Sequence, residues 1–448
     1  MAGLDSASVP PTGVGPTGVD LPGVDPTGVH PTHVDPTHVD LIDNDRYAEA
    51  VPYADFDLLR RTDPVHWHPE PNGPGFWAVL RHDDVMAVSR DTATYSSETG
   101  ATALEDLAPD ALAARKSLLD MDPPRHTALR RTLVADFTRR QALRHEEQLR
   151  EVIRPLVRGA LARGTFDAVD DLATAVPIRV LCRMLGVPAA DEPRMVELSD
   201  RLIANTDPDL SEVQPDSPES DRYRLLPFRS PAALEMHAYA RSLRADRAAH
   251  PRDDVVTRLG RARIDGLPLT EAEFQAMFLL LLVAGNETTR SALSLGIQAL
   301  VTHPGQWELL RAGADLDRAV EEILRWTTPL HHFRRTATRD TELRGRHIRA
   351  GDKVVLWYTS ANRDENVFRA PYDFDITRDP NPHLAFGRGG PHRCLGEHLA
   401  RVEIRLVLEE FLALGVTLHA DGPARRVRSN FTNGLKSLPV RASGFRPA

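Results

Sequence analysis

One cysteine in this chain stands where its sulfur can be put to chemical use. The stretch Phe386-Gly387-Arg388-Gly389-Gly390-Pro391-His392-Arg393-Cys394-Leu395-Gly396 is a glycine-rich turn, followed by the helical spacing of Leu399, Val402, Leu406 and Leu408. A cysteine at the mouth of a helix lies in the positive end of the helix dipole, which favours the thiolate. Gly387, Gly389 and Gly390 carry no Cβ, so backbone N–H groups can come close to whatever the sulfur binds. With no second cysteine nearby, the sulfur cannot build a tetrahedral zinc site or an iron–sulfur cluster. It can serve as the single axial ligand of a haem iron. The plainer alternative is a buried structural cysteine in a glycine loop.

A second group of residues is suited to moving protons. Ala284-Gly285-Asn286-Glu287-Thr288-Thr289 lies in the middle of the longest helical pattern, which opens on the capping box Thr270/Glu273 and stops before Pro304. A glycine there costs a helix about 1 kcal/mol. Threonine hydroxyls can bond back to the carbonyl four residues earlier and open the helix locally. A groove with an adjacent acid and alcohol suits dioxygen binding and proton delivery. A polar patch on a long helix is the plainer alternative. Further on, Glu322-Ile323-Leu324-Arg325 places an acid and an arginine on one helix face, able to form an ion pair.

Taken together, these stretches resemble the cytochrome P450 family over essentially all of residues 41–448. The cysteine loop is similar to the family's haem-binding loop, with Phe386 one position further from Cys394 than is usual. That FGxGGPHxCLG form is familiar from actinobacterial members that hydroxylate steroids and methyl-branched lipids. The resemblance implies a mainly α fold with small β-sheets, the cytochrome P450 fold, around haem b (iron protoporphyrin IX). Cys394 would be the iron ligand, with Phe386, Gly387, His392 and Gly396 around it and with Ala284 and Gly285 opposite the haem. Glu287 and Thr288 match the acid–alcohol pair. Glu322, Arg325 and Arg378 match a structural triad that holds the cysteine loop. His126, Arg130, Arg335 and His392 lie where the family places partners for the haem propionates.

The resemblance also implies a reaction: insertion of one oxygen atom of O2 into a C–H bond of a hydrophobic small molecule. A steroid, terpenoid, branched lipid or natural-product intermediate would fit. Electrons would come from NAD(P)H through ferredoxin reductase and ferredoxin, because the chain carries no flavin or ferredoxin domain of its own. Arg388, Arg393, Arg401 and Arg405 cluster around the loop, so the face behind the sulfur is expected to be basic. Two alternatives stand beside this reading. One is a P450-fold enzyme that couples or rearranges its substrate without inserting oxygen, which product mass would reveal. The other is a haem-binding carrier or sensor without turnover, which oxygen consumption would exclude. Substrate-facing positions are expected in 95–120, 207–230, Phe278 to Ala284, Leu330-His331-His332-Phe333 and around Phe431. The plain reading of His331 and His332 is a pair of solvent-exposed loop histidines.

The elements that must position these groups are mostly helical over 100–320. A strand is expected at Gly75 to Leu80, strands at His347 to Thr359, and a closing hairpin at Ser429 to Val440 around Asn433-Gly434. A proline-containing segment, Asp207 to Ser230, is expected as a surface loop. Residues 11–40 repeat a five-residue unit such as Pro31-Thr32-His33-Val34-Asp35. Proline and glycine forbid a helix there, and one valine per unit buries no core, so residues 1–40 read as a disordered arm ahead of a haem domain at 41–448.

Composition narrows the remaining classes. A net charge of -9 over 448 residues, with no basic block, argues against nucleic acid. Cys182 and Cys394 are the only cysteines, so no disulfide framework exists and a reducing cytoplasm is expected, with Cys182 a small core residue. The longest apolar run, Met277 to Ala284, is far short of the ~20 residues a spanning helix needs, so no membrane anchor is expected.

Overall fold

The computed structural model describes residues 39–445 except 103, 204–206 and 215–216. The repeats up to residue 38 lie outside the described residues. Val39 and Leu41 are buried and pack in one cluster with Tyr47, Phe56 and Trp357, so the fold begins inside the last repeat unit.

Six helices carry the site: Arg125–Arg131 (α1), Ala175–Leu185 (α2), Glu192–Ile203 (α3), Glu271–Thr302 (α4), Leu316–Thr327 (α5) and Glu397–Ala413 (α6). Helix α4 is 32 residues long and opens on the expected box, Thr270 and Glu273 each accepting the other's backbone N–H. It is apolar around most of its circumference, which requires an interior position, and it packs against α2, α3, α5 and α6. Cys182 is fully buried on α2. No helix among the described residues is long and apolar enough to cross a membrane.

Five strands form the main sheet: Val65–His68 (β1), Phe76–Val79 (β2), Tyr95–Ser96 (β3), His332–Ala337 (β4) and Lys353–Trp357 (β5). Their order is β1-β2-β5-β4-β3, with β5 and β2 parallel and the other neighbours antiparallel. Every residue of β5 is buried, and Lys353 is tolerated there because its Nζ lies 2.6 Å from Glu70 Oε2.

Two expectations need correction. The closing hairpin pairs Arg425–Arg426 with Leu435–Ser437, so Asn433-Gly434 is not its two-residue turn. Ser429 Oγ accepts the amides of Phe431 and Thr432 and folds that segment into a loop. The loop crosses over to residues 329–331: the His331 amide bonds the Phe431 carbonyl at 2.8 Å, and Asn433 N bonds Pro329 O at 2.9 Å. In the 207–230 segment, short 3₁₀ turns occur at Pro218–Tyr223 and Pro227–Arg229. Its first residue is no surface residue: Asp207 is fully buried and paired with Lys436 Nζ at 2.9 Å.

The expected triad forms. Glu322 and Arg325 are both 0% exposed and bonded in a fork, Nε to Oε2 and Nη2 to Oε1, each 2.8 Å. The remaining Arg325 donors go to the carbonyls of Asn362, Pro371 and Asp373. Glu322 also accepts Arg378 Nε (3.1 Å), Asn381 Nδ2 (3.0 Å) and the Asp375 amide (2.9 Å). Removing one partner strands a buried charge, so Glu322→Ala should cost about 3–5 kcal/mol and loosen the backbone leading to the cysteine loop, read as the thermal midpoint. An unchanged midpoint would show that the pair is dispensable.

Glu403 on α6 is 1% exposed and its Oε2 has no hydrogen-bond partner. Burial pushes its carboxyl up from 4.5 to about 8. The folded chain therefore holds this proton more tightly than the unfolded chain does. The group's contribution is fully present below pH 4.5 and is lost as pH rises to about 8; the slope is ~1.4 kcal/mol per pH unit. Glu403→Gln, which cannot ionise, should flatten stability across that window in denaturant melts; a parallel pH dependence in both proteins would refute this.

Candidate active site

The cysteine loop is suspended between distant segments. Cys394 N donates to Phe386 O at 2.8 Å and Gly387 N to Leu384 O at 2.8 Å, which closes the loop on itself. Gly387 needs its glycine for conformation (φ +63°). Gly390 needs it for space, because a Cβ there would stand 1.9 Å from the Ser89 carbonyl oxygen. Gly389 likewise meets the Arg90 side chain, so these two glycines admit a neighbouring helix and not the ligand of the sulfur. Upstream, Leu384 N is held by Asn362 Oδ1 at 2.7 Å, and His383 Nε2 lies 2.9 Å from Glu321 Oε2.

Cys394 has exposed surface although protein atoms crowd it on its other sides. Burial pushes its thiol up, opposed by the Gly396 amide and by Arg130 and Arg401, with Glu397 reinforcing the rise. Burial thus opposes the helix mouth, and a cation bound at the sulfur would favour the thiolate.

The four predicted anion partners come together beside the loop. His126 is 1% exposed, its ring centroid is 4.2 Å from that of His392, and its Nδ1 has no partner. Arg335 is buried, gives Nη1 to the Arg334 carbonyl at 2.7 Å, and makes no ion pair with a carboxylate. Burial, then Arg130, pulls His126 down to about 4; burial, then Arg335, His126 and Arg130, pulls His392 down to about 2. The nearby acid Asp122 is engaged by the Ser97 amide at 3.0 Å and by Ser96 Oγ. The buried Arg335 and His126 and the half-buried Arg130 and His392, in one field and without a carboxylate among them, constitute a site for an organic anion.

Helix α4 has accessible surface at its middle. Ala284 is exposed and Gly285 and Thr288 are partly so, although Leu282, Val283, Asn286 and Glu287 around them are buried. Thr288 Oγ1 donates to the Ala284 carbonyl at 2.7 Å, the expected back-bond, and the helix stays continuous across it. Glu287 is 7% exposed with Oε2 unpartnered, and burial raises its carboxyl. Gly285 lies against Leu181 of α2, where a Cβ would approach to 3.0 Å.

His331 and His332 are 0% and 1% exposed, which overturns their reading as solvent-facing histidines. His331 Nδ1 pairs with Thr359 Oγ1 at 2.7 Å, and its ring packs 4.8 Å from Tyr47; His332 packs 4.7 Å from Trp357. Strand alternation puts Phe333 on the same face as Arg335, and His332 with Arg334 on the other. Phe333, half-buried and 5.7 Å from Phe431, is thus the member of this run that shares a face with the anion site.

Two contacts at the loop escaped sequence reading. Ser97 Oγ lies 3.2 Å from His392 Nε2, and Arg401 stacks its guanidinium 4.5 Å over the Phe386 ring. Neither leaves a local signal in sequence. The arginines around the loop are also less free than their number suggests: Arg393 pairs with Glu397, Arg401 with Glu321 and Glu397, and Arg405 with Glu146 and Glu409.

Comparisons with known proteins agree with this geometry. The sequence model described as Cytochrome P450 matches residues 314–414. A steroid C26-monooxygenase of Mycolicibacterium smegmatis is 36% identical over 88% of this chain and 92% of its own length. A methyl-branched lipid omega-hydroxylase of Mycobacterium tuberculosis is 38% identical over 86% of this chain and 90% of its own. A Mycobacterium marinum cytochrome P450 solved in complex with pseudoionone superposes with a TM-score of 0.82 at 38% identity, covering 93% of this chain and all of that one. On the thiol loop, the buried cation cluster, the fold and these relatives, the chain is a monooxygenase of the cytochrome P450 family, whose members bind haem b.

Proposed function

We propose that this enzyme hydroxylates a terminal methyl group on the branched alkyl chain of a steroid or lipid. The observation that carries this is the pair of activities named for its relatives, a steroid C26-monooxygenase and a methyl-branched lipid omega-hydroxylase. C26 of a sterol side chain and the omega carbon of a methyl-branched lipid are the same chemical group. The half-buried Phe333 and Phe431 beside Leu330 suit an apolar chain of this kind.

The residues fit haem b. Cys394 would hold the iron, with Phe386, Gly387 and Gly396 beside it and the accessible Ala284 and Gly285 of α4 also lining the group. His126, Arg130, Arg335 and His392 would hold its two propionates, which supply the acceptors that His126 Nδ1 and the Arg335 guanidinium lack. When bound there, the haem supplies dioxygen activation. Thr288 gives its hydroxyl proton to Ala284 O, so its oxygen lone pairs remain to accept from a proton donor at the open side. Glu287, whose carboxyl burial pushes up and so toward its protonated form, stands one residue away as the proton-holding acid. Electrons reach the site from NAD(P)H through ferredoxin reductase and ferredoxin in the cytoplasm. The helix Arg139–Arg144 packs against α6, and its exposed Arg139, Arg140 and Arg144 make no ion pairs among the described residues, so an acidic ferredoxin meets them rather than the occupied Arg393, Arg401 and Arg405.

Replacing Cys394 by Ser should abolish the long-wavelength band of the reduced, carbon-monoxide-bound protein; survival of that band would mean another iron ligand. With cholesterol or phytanic acid, NADPH and a surrogate ferredoxin system, a product heavier by one oxygen at the branched terminus is expected. Hydroxylation confined to ring or carboxyl-proximal carbons would reject the terminal-methyl assignment. Thr288→Ala should keep haem content and substrate binding while diverting most reducing equivalents into hydrogen peroxide, read as product and peroxide per NADPH. Unchanged coupling would remove Thr288 from the proton path.

A further inference from the structure

Glu287 is buried with one oxygen unpartnered, and the function proposed above requires it to be reprotonated after each turnover. Arg290 follows it by three residues, the spacing at which Glu322 and Arg325 close into an ion pair. At 287 and 290 no such pair forms. Arg290 Nη1 instead lies 2.9 Å from Asp200 Oδ1 on α3, and the Asp200 side chain is 41% exposed where that of Arg290 is 10%. One residue away, Asn286 Nδ2 donates to Ser199 Oγ at 2.7 Å, so α3 and α4 are tied at two adjacent points. A third carboxyl, the exposed Asp170 on the short helix Val169–Ala173, lies in the field of both Asp200 and Arg290.

Three carboxyls therefore lie in the field of one guanidinium, with only Asp200 bonded to it, and they run from exposed (Asp170) through partly exposed (Asp200) to buried with an unpartnered oxygen (Glu287). One cation cannot neutralise three anions in a partly desolvated place. Burial, with repulsion from neighbouring carboxyls, pushes all three upward, and only Arg290 pulls the other way apart from these groups.

We infer that Asp200 is the solvent end of the proton route to Glu287, and that Arg290 operates the route by changing carboxylate partners. This rests on the reading of Glu287 as the proton-holding acid. Asp200 takes a proton from solvent and releases the guanidinium. Arg290 then turns to Glu287 on its own helix face and stabilises its ionised form, so the Glu287 proton leaves toward Thr288. The proton on Asp200 passes to Glu287, and Arg290 returns to the Asp200 carboxylate. One proton has entered from solvent and one has been delivered, with every charge restored.

The test uses the full-length haem-loaded enzyme with phytanic acid, NADPH and a surrogate ferredoxin system, following dioxygen consumption against pH and in deuterated water. Asp200→Asn and Asp200→Ser should both slow consumption about 10-fold, less than the ~100-fold expected on losing the general acid itself, and raise the solvent isotope effect. Thermal midpoint and the haem spectral shift on phytanic acid binding should hold, and Asp200→Glu should restore the rate. Wild-type rate and isotope effect in both Asp200 variants, with a slow Glu287→Gln, would overturn this route and leave the role of Glu287 standing. A Glu287→Gln enzyme of wild-type rate would overturn both.

Discussion

Much of the thiol side of this protein hangs from one buried carboxylate. Glu322 accepts two bonds from Arg325 and one each from Arg378, Asn381 and the Asp375 amide, so a single anion fixes α5 and the backbone of 373–381 together. A buried charge is costly unless every lone pair is met, and here the pairing is close to complete. From this anchor the chain reaches the cysteine loop through Leu384, itself held by Asn362, whose carbonyl is bonded to Arg325. The sulfur is placed by a network of polar bonds, while the apolar core supplies the bulk stability around it.

The opposite condition marks the site itself. Where Glu322 has all its partners, His126 has an orphaned nitrogen, Arg335 no carboxylate and Glu287 an unpartnered oxygen. Buried polar groups left unsatisfied are rare in folded proteins, and the orphaned His126 nitrogen close to an accessible thiol suits a place that receives an acceptor from outside the chain. The cations and the carboxyls are also segregated: the basic groups stand by the loop, and the acids gather around Arg290 at the junction of α3 and α4. The end of the site that binds anions and the end that handles protons thus have different electrostatics.

What sequence revealed, and what it hid, follows from the range of the forces involved. The capping box at Thr270, the back-bond of Thr288 and the Glu322–Arg325 fork act within four residues, and each was readable. The cation cluster was reached through family resemblance, since nothing local links His126 to Arg335. The closing hairpin was misplaced because Ser429 folds its own segment and distant residues 329–331 compete for the backbone of 431–433. His331 and His332 look exposed in sequence because their covering partners, Tyr47 and Trp357, are contributed from elsewhere in the fold. The arginines behind the loop looked free for the same reason: Glu146 and Glu321 reach them across the fold.

The contact between Gly390 and the Ser89 carbonyl bears on how the enzyme comes into being. That carbonyl closes the helix His82–Arg90, some 300 positions earlier than the loop it meets, and the loop's other supports come from 321–325 and 362. Contacts of such sequence separation form late and slowly, because the intervening chain must first be ordered. The metal-binding loop is therefore finished only once both ends of the molecule have met. Haem acquisition during synthesis then becomes a report on the whole folding reaction, and a substitution far from the site, at Ser89 or in its helix, would show itself first as a protein made in full but pale.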